Sequence, residues 1–445
     1  MKSPTLALVL ITSLGSLSGT AQDWPQWRGP NRDAKAVGFK VPKSWPKELT
    51  RKWSVTVGDG VSTPSLVGDK LYVFSRQDGN EVSRCLSVVD GKELWVDKYD
   101  ALGATGPAQS FSGPRSSPAV SGGKVVTTGV RGMISCLDAA SGKLLWRKDD
   151  FRAHPNFFLS SSPLIVDGLV VAQLGGRDNG AIVAYDLATG EQKWKRDGAS
   201  PAYASPVLLT MDGVKLIIAA TEAKTVAVKV SDGTLVWESA GGGGGGRENK
   251  AATPIIDGQT IIISGRGLTA VKLGKDGEKI VATDLWSNPD KSVQFNTPVL
   301  KNGLLYGLAQ NNDLFCVNAT DGKTVWTVPF PSGARADLDR GVAASQFFGQ
   351  ADPGQRGPGG PGGPGGRRGG GGMGSGGFGS IVDTGPVLLG LTAGAQLIVF
   401  APGEKDFQPI TSYKVSNNQT HAYPVASGNR IFIKDKDSVT LWTVE

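Results

Sequence analysis

Residues 117–146 read SPAVSGGKVVTTGVRGMISCLDAASGKLLW. The stretch opens on Ser117-Pro118 and runs through a short strand, a Gly turn and a second strand. It closes on Cys136-Leu137-Asp138, Ser141-Gly142-Lys143 and Trp146. The unit recurs. Prolines at Pro64, Pro118, Pro163, Pro206, Pro254, Pro298, Pro386 and Pro424 mark its starts. Trp95, Trp146, Trp194, Trp237, Trp286 and Trp326 mark its ends, with Tyr413 in the seventh copy. Runs such as Lys70–Phe74 and Thr260–Ile263, broken by Asp167-Gly168, Asp257-Gly258 and Asn302-Gly303, read as strands joined by tight turns. Four strands in each repeat of about forty residues predict an all-β, eight-bladed β-propeller of four-stranded blades.

The last copy falls short. After Pro424 come Arg430–Ile433 and Ser438–Leu441, and no fourth strand follows. A repeat-end strand without a preceding unit lies at the other end, Leu49–Val57 around Trp53. This N-terminal strand is expected to complete the eighth blade and close the ring, which removes the free edges of an open array.

The remaining sequence sets compartment and boundaries. Lys2, the apolar stretch Leu6–Leu17 and Gly19-Thr20-Ala21 form a secretory signal over residues 1–21. The mature chain is then expected to start near Gln22, to lack a membrane span, and to work in the periplasm or cell envelope as a monomer. Residues 22–48 make an N-terminal segment and 49–445 the propeller. Residues 331–380 are expected to be a disordered Gly/Pro-rich insert between units six and seven. Gly241–Gly246 reads as a second loop.

A net charge of +7 over 445 residues does not call for a nucleic-acid partner. Cys85, Cys136 and Cys316 share one repeat position with Ala184, Ala227 and Ala270, so they read as small core residues. The two histidines join no cysteine cluster, which argues against zinc. Asp138, Lys143, Asp186, Asp321 and Lys323 recur at repeat-defined places and read as turn residues rather than acids or bases. No nucleophile elbow, zinc-protease helix or phosphate loop is present.

Aligning the copies separates scaffold from site. One and two places before the proline the residues are mostly small, many with hydroxyls. Three places before it stand Val61, Arg115, Ser160, Tyr203, Ala251, Phe295, Asp383 and His421. These side chains are expected to ring one mouth of the central channel. Arg115, Tyr203, Phe295, Asp383 and His421, with Lys250 and Asn296 beside them, form the candidate binding set. Arg115 suits a carboxylate or phosphate, and the two aromatics suit a planar group.

The Leu-Asp-x-x-x-Gly-Lys-x-x-Trp ends and Ser/Thr-Pro starts resemble the quinoprotein-type, or PQQ-like, β-propeller repeat proteins. The opening Asp23-Trp-Pro-Gln-Trp-Arg-Gly-Pro-Asn-Arg-Asp33 looks like the N-terminal signature of exported members from planctomycete-type bacteria. The resemblance covers nearly the whole chain outside 331–380. It implies one of two functions: a non-catalytic scaffold binding an envelope protein or small ligand, or a dehydrogenase of alcohols or sugars dependent on pyrroloquinoline quinone (PQQ) and calcium. The enzymes stack the quinone between a Trp and, in one branch, adjacent cysteines, and hold calcium with carboxylates and an amide. Adjacent cysteines are absent here, and Asp383, Asn296 and Glu248 are the oxygen donors on offer. The reading favours the scaffold, with no cofactor and no catalytic residue carried over.

Overall fold

The computed structural model describes residues 22–151, 153–239, 251–330 and 378–445. The secretory signal, Lys250, Glu248, Gly241–Gly246 and most of the 331–380 insert lie outside the described residues. Eight four-stranded antiparallel sheets follow one another along the chain. Blade one spans Ser65–Val67, Lys70–Gln77, Asn80–Ser87 and Glu93–Asp100, from the inner strand at the axis to the outer strand at the rim. In blade eight the strands Val425–Ser427, Arg430–Lys434 and Ser438–Thr443 are joined by Thr50–Thr56 as the outer strand. There Trp53 pairs with Leu441, so the ring closes as the broken repeat requires. Among the described residues, no helix is long and apolar enough to cross a membrane.

The repeat motif is one device read across a blade boundary. Gly142 has a φ of 73°, and a Cβ there would come within 2.5 Å of the Trp95 ring of the preceding blade. The Trp95 indole N–H donates to Ala139 O at 3.1 Å in that same turn. Trp146 repeats the arrangement on Gly190 and Leu187 O, Trp194 on Gly233 and Val230 O, and Trp286 on Gly322 and Ala319 O. The closing strand obeys the same rule, with Trp53 on Gly91 and Val88 O. The motif Asp holds the turn itself: Asp138 Oδ1 accepts from Ser141 N at 2.8 Å and Ser141 Oγ at 2.6 Å. These bonds also lower its carboxyl pKa. Cys85, Cys136 and Cys316 are buried and unpaired, and burial pushes their thiols up to about 12.

A second tie lies at the inner wall. Thr63 N donates to Ser117 Oγ at 3.0 Å and Ser117 N to Ser162 Oγ at 2.9 Å. Ser162 N then donates to Ser205 Oγ, Ser205 N to Thr253 Oγ1, and Thr253 N to Thr297 Oγ1. Tyr423 N donates to Thr63 Oγ1. The hydroxyl before six of the eight prolines therefore receives the amide of the preceding blade.

Blade seven departs from the expected register. Its inner strand is Gly379–Asp383, before Pro386 rather than after it. Val382 pairs with Leu389, Leu389 with Val399 and Val399 with Thr411, as Ser65, Tyr72, Cys85 and Trp95 are linked in blade one. Thr411, not Tyr413, thus stands at the repeat-end position, and Ser380, not Gly385, at the hydroxyl position. Tyr413 instead packs on Trp45 and donates to Pro46 O at 2.7 Å, so the N-terminal segment seals the seam between blades seven and eight.

Candidate binding site at the channel mouth

The two ends of the channel are built differently. At the end bearing the hairpin turns between the inner two strands of each blade, residues 22–40 lie across the ring. Trp24 bridges to Leu66, Lys35 to Asp383 and Phe39 to Gly428. Arg28 and Arg32 are 1% and 4% exposed and enter the axis. Arg28 Nη1 donates to Thr297 O at 2.6 Å and Tyr423 Oη at 3.0 Å, and Nη2 to Pro298 O at 3.0 Å. Arg32 reaches across to Ser162 O, Pro163 O and Pro206 O. The segment Asp23–Asp33 therefore plugs this end.

The other end is where the chain enters each inner strand, and an aromatic cluster lies there. Phe295 stacks on Phe378 with centroids 4.1 Å apart and planes 4° from parallel. His421 meets Phe378 edge-on at 4.9 Å and Phe111 at 4.6 Å. Lys436 Nζ stands 5.9 Å over the Phe111 ring. All four rings are half-buried. Among the described residues neither nitrogen of His421 has a hydrogen-bond partner although both are buried, and that burial lowers its pKa to about 4.

The structure sorts the expected set. Phe295 and His421 come together. Tyr203 stands at the same end, its ring edge-on to Phe157 at 5.9 Å and its hydroxyl accepting from Phe157 N at 3.1 Å. Arg115 acts as a brace: Nη2 donates to Ala108 O at 3.1 Å and Phe111 O at 2.8 Å, tying down the short helical turn Gly106–Phe111 and so placing Phe111. Its Nη1 is buried with no partner among the described residues. Asn296 is buried inside blade six, donating to Leu308 O at 2.6 Å and accepting from Leu308 N at 3.2 Å.

Asp383 does not join the cluster. It ends the inner strand of blade seven at the plugged end, pairs with Lys301 at 2.8 Å, and exchanges backbone bonds with Ala34 and Ala36. The blade-seven register gives the place expected for Asp383 to Phe378. Aligning on Pro386 hid this, although Gly385-Pro386 lacks the hydroxyl residue found at most other starts. Phe111 and Lys436 lie outside the aligned positions and carry no repeat signal.

The donors offered for a calcium-assisted quinone do not fit one site. Asp383 and Asn296 are committed to separate partners. The repeat tryptophans from Trp95 to Trp194, with Trp286, are turned into blade seams rather than the lumen.

Comparison with known proteins agrees with this architecture. The family model described as "Outer membrane protein assembly factor BamB" matches residues 78–328. The outer membrane protein assembly factor BamB of Yersinia pestis is 24% identical over 223 residues, 47% of this chain and 55% of that protein. The chain thus spans little more than half of such relatives. BamB from Moraxella catarrhalis superposes with a TM-score of 0.57 at 14% identity, covering 89% of this chain and 99% of that one. Quinohemoprotein alcohol dehydrogenase from Comamonas testosteroni gives 0.64 at 14% identity, covering 95% and 80%. These superpositions show the fold alone. With more than half its length matched by the family model, this chain belongs to the PQQ-like β-propeller family described as outer membrane protein assembly factor BamB.

Proposed function

We propose that the protein is a non-catalytic scaffold of the cell envelope that binds a protein partner at the channel mouth the N-terminal segment leaves uncovered. The observation that carries this reading is the Phe295–Phe378–His421–Phe111 cluster, a half-buried aromatic surface at the end the N-terminal segment leaves uncovered. Aromatic residues that stay partly open and rigid are the usual anchors of protein interfaces. Membership of a family described by an assembly factor supports the same reading. The dispersal of Asp383 and Asn296 speaks against the alternative, a PQQ- and calcium-dependent alcohol or sugar dehydrogenase.

Two measurements test it. A photo-crosslinker at Phe378 should capture a partner in envelope preparations, while one at Val37, 71% exposed at the plugged end, should not. Titration with the quinone and calcium should give no bound-quinone absorption and no dye reduction with alcohols or aldoses. Dye reduction would replace the scaffold with the enzyme.

A further inference from the structure

The inner strand of each blade is an edge strand, so one side of its backbone faces the axis without a neighbouring strand. Its carbonyls there need donors from elsewhere. In this chain five carbonyls on the residues leading into these strands, Ser162 O, Pro163 O, Pro206 O, Thr297 O and Pro298 O, accept from the two arginines, and Thr297 O also from Tyr423 Oη at 3.4 Å. A guanidinium offers five N–H donors in a flat fork, and the geometry uses nearly all of them. Arg28 Nε donates to Arg32 O at 3.3 Å and Arg32 Nε to Gln26 Oε1 at 2.9 Å. Arg28 also lies 5.4 Å from the Tyr423 ring centroid and 5.6 Å from that of Trp27. Among the described residues neither arginine has a carboxylate partner, although both are buried. Burial without a counter-ion lowers the Arg32 pKa to about 9.

The segment is shaped for this purpose at a conformational cost. Arg28, Arg32 and Ala34 all hold left-handed backbone, with φ of 61°, 58° and 60°. Each such residue costs about 1–3 kcal/mol unless its surroundings fix it. The turn is held by Ala34 N on Arg28 O and Arg32 N on Gly29 O.

We propose that the ring of axial carbonyls is a cation-binding site selective for guanidinium, and that the N-terminal segment fills it in cis with Arg28 and Arg32. The ligand set explains the selectivity. Its oxygens at the axis are five backbone carbonyls from blades three, four and six and the Tyr423 hydroxyl of blade eight, which matches a flat, weakly hydrated cation with several donors. A calcium ion takes six to eight close oxygens, several usually from carboxylates, and no carboxylate joins this set. The inference goes beyond the scaffold reading and stands whichever partner the open mouth takes.

Chemical rescue in the full-length protein tests it. Arg32→Ala should lower Tm, and millimolar guanidinium or ethylguanidinium should restore at least half of the loss. Urea, sodium and calcium at matched concentration should not, and the wild-type Tm should not rise with any of them. Rescue by calcium as strong as by guanidinium, or no rescue at all, would overturn the proposal. Should Arg32→Ala fail to fold, the series Arg32→Lys and Arg32→Met decides. Charge recognition places the Lys variant above the Met variant in Tm and both below wild type. A Met variant as stable as the Lys variant or the wild type shows that the arginine merely fills space.

Discussion

The two ends of one channel carry opposite chemistry. At the plugged end Arg28, Arg32 and Asp383 are buried and partnered: the arginines bind carbonyls, and Asp383 binds Lys301. At the open end aromatic rings dominate, and among the described residues the buried His421 nitrogens and Arg115 Nη1 have no partner. Saturated hydrogen bonding fixes a structure, whereas orphaned polar atoms beside half-open rings leave interaction capacity unused. On the proposed reading, the same ring of blades uses one mouth for integrity and the other for recognition.

Substitutions should separate the two roles. Trp146→Ala removes a blade-to-blade tie and should cost about 3–5 kcal/mol in denaturant unfolding, whereas Phe378→Ala should cost well under half of that. Asp383→Asn leaves the Lys301 ammonium buried without its counter-ion and should also destabilise by about 3 kcal/mol or more. Partner capture at the open mouth should be unchanged, and loss of capture without loss of stability would return Asp383 to the binding set.

Acid should act on the open mouth through His421. Its ring stays neutral in the folded state down to about pH 4, while in the unfolded chain it takes a proton near 6.5. The unfolded state thus binds more protons between those values. The stability due to the neutral ring is complete above about pH 6.5 and falls as pH drops toward 4, by up to about 3 kcal/mol. His421→Phe should remove this slope, seen as a smaller difference between urea midpoints at pH 7 and pH 4.5. The smallest effect is expected from Arg115→Met, about 1 kcal/mol or less in stability. It should still weaken partner capture, because the turn carrying Phe111 is released.

Much of the fold was legible because the repeat encodes contacts between blades. A glycine that must lie against the preceding tryptophan, and a hydroxyl that must receive an amide, leave the same letters in copy after copy. The broken eighth unit likewise announced the strand around Trp53. Register failed at blade seven, where the proline moved from the start of the inner strand to the turn after it, and Phe378 went unseen. Site residues were harder to read. Variability singled out Phe295 and His421, which both pack on Phe378, but it could not tell a brace such as Arg115 from a ligand. Nor could it reveal that Asn296 is consumed within its own blade. The plug was invisible because Asp23–Asp33 belongs to no repeat, and its arginines meet carbonyls more than a hundred residues away.

The amide-to-hydroxyl bonds and the tryptophan seams tie neighbouring blades at two distances from the axis. A pair of attachments at different radii resists rotation of one blade against the next, as two screws stop a plate from pivoting where one does not. Where both ties are present, the bore therefore resists dilating like an iris. Whatever the open mouth admits must be accommodated by the loops that carry Phe111, Phe378 and His421, so affinity there can be retuned by exchanging loops without disturbing the wheel beneath.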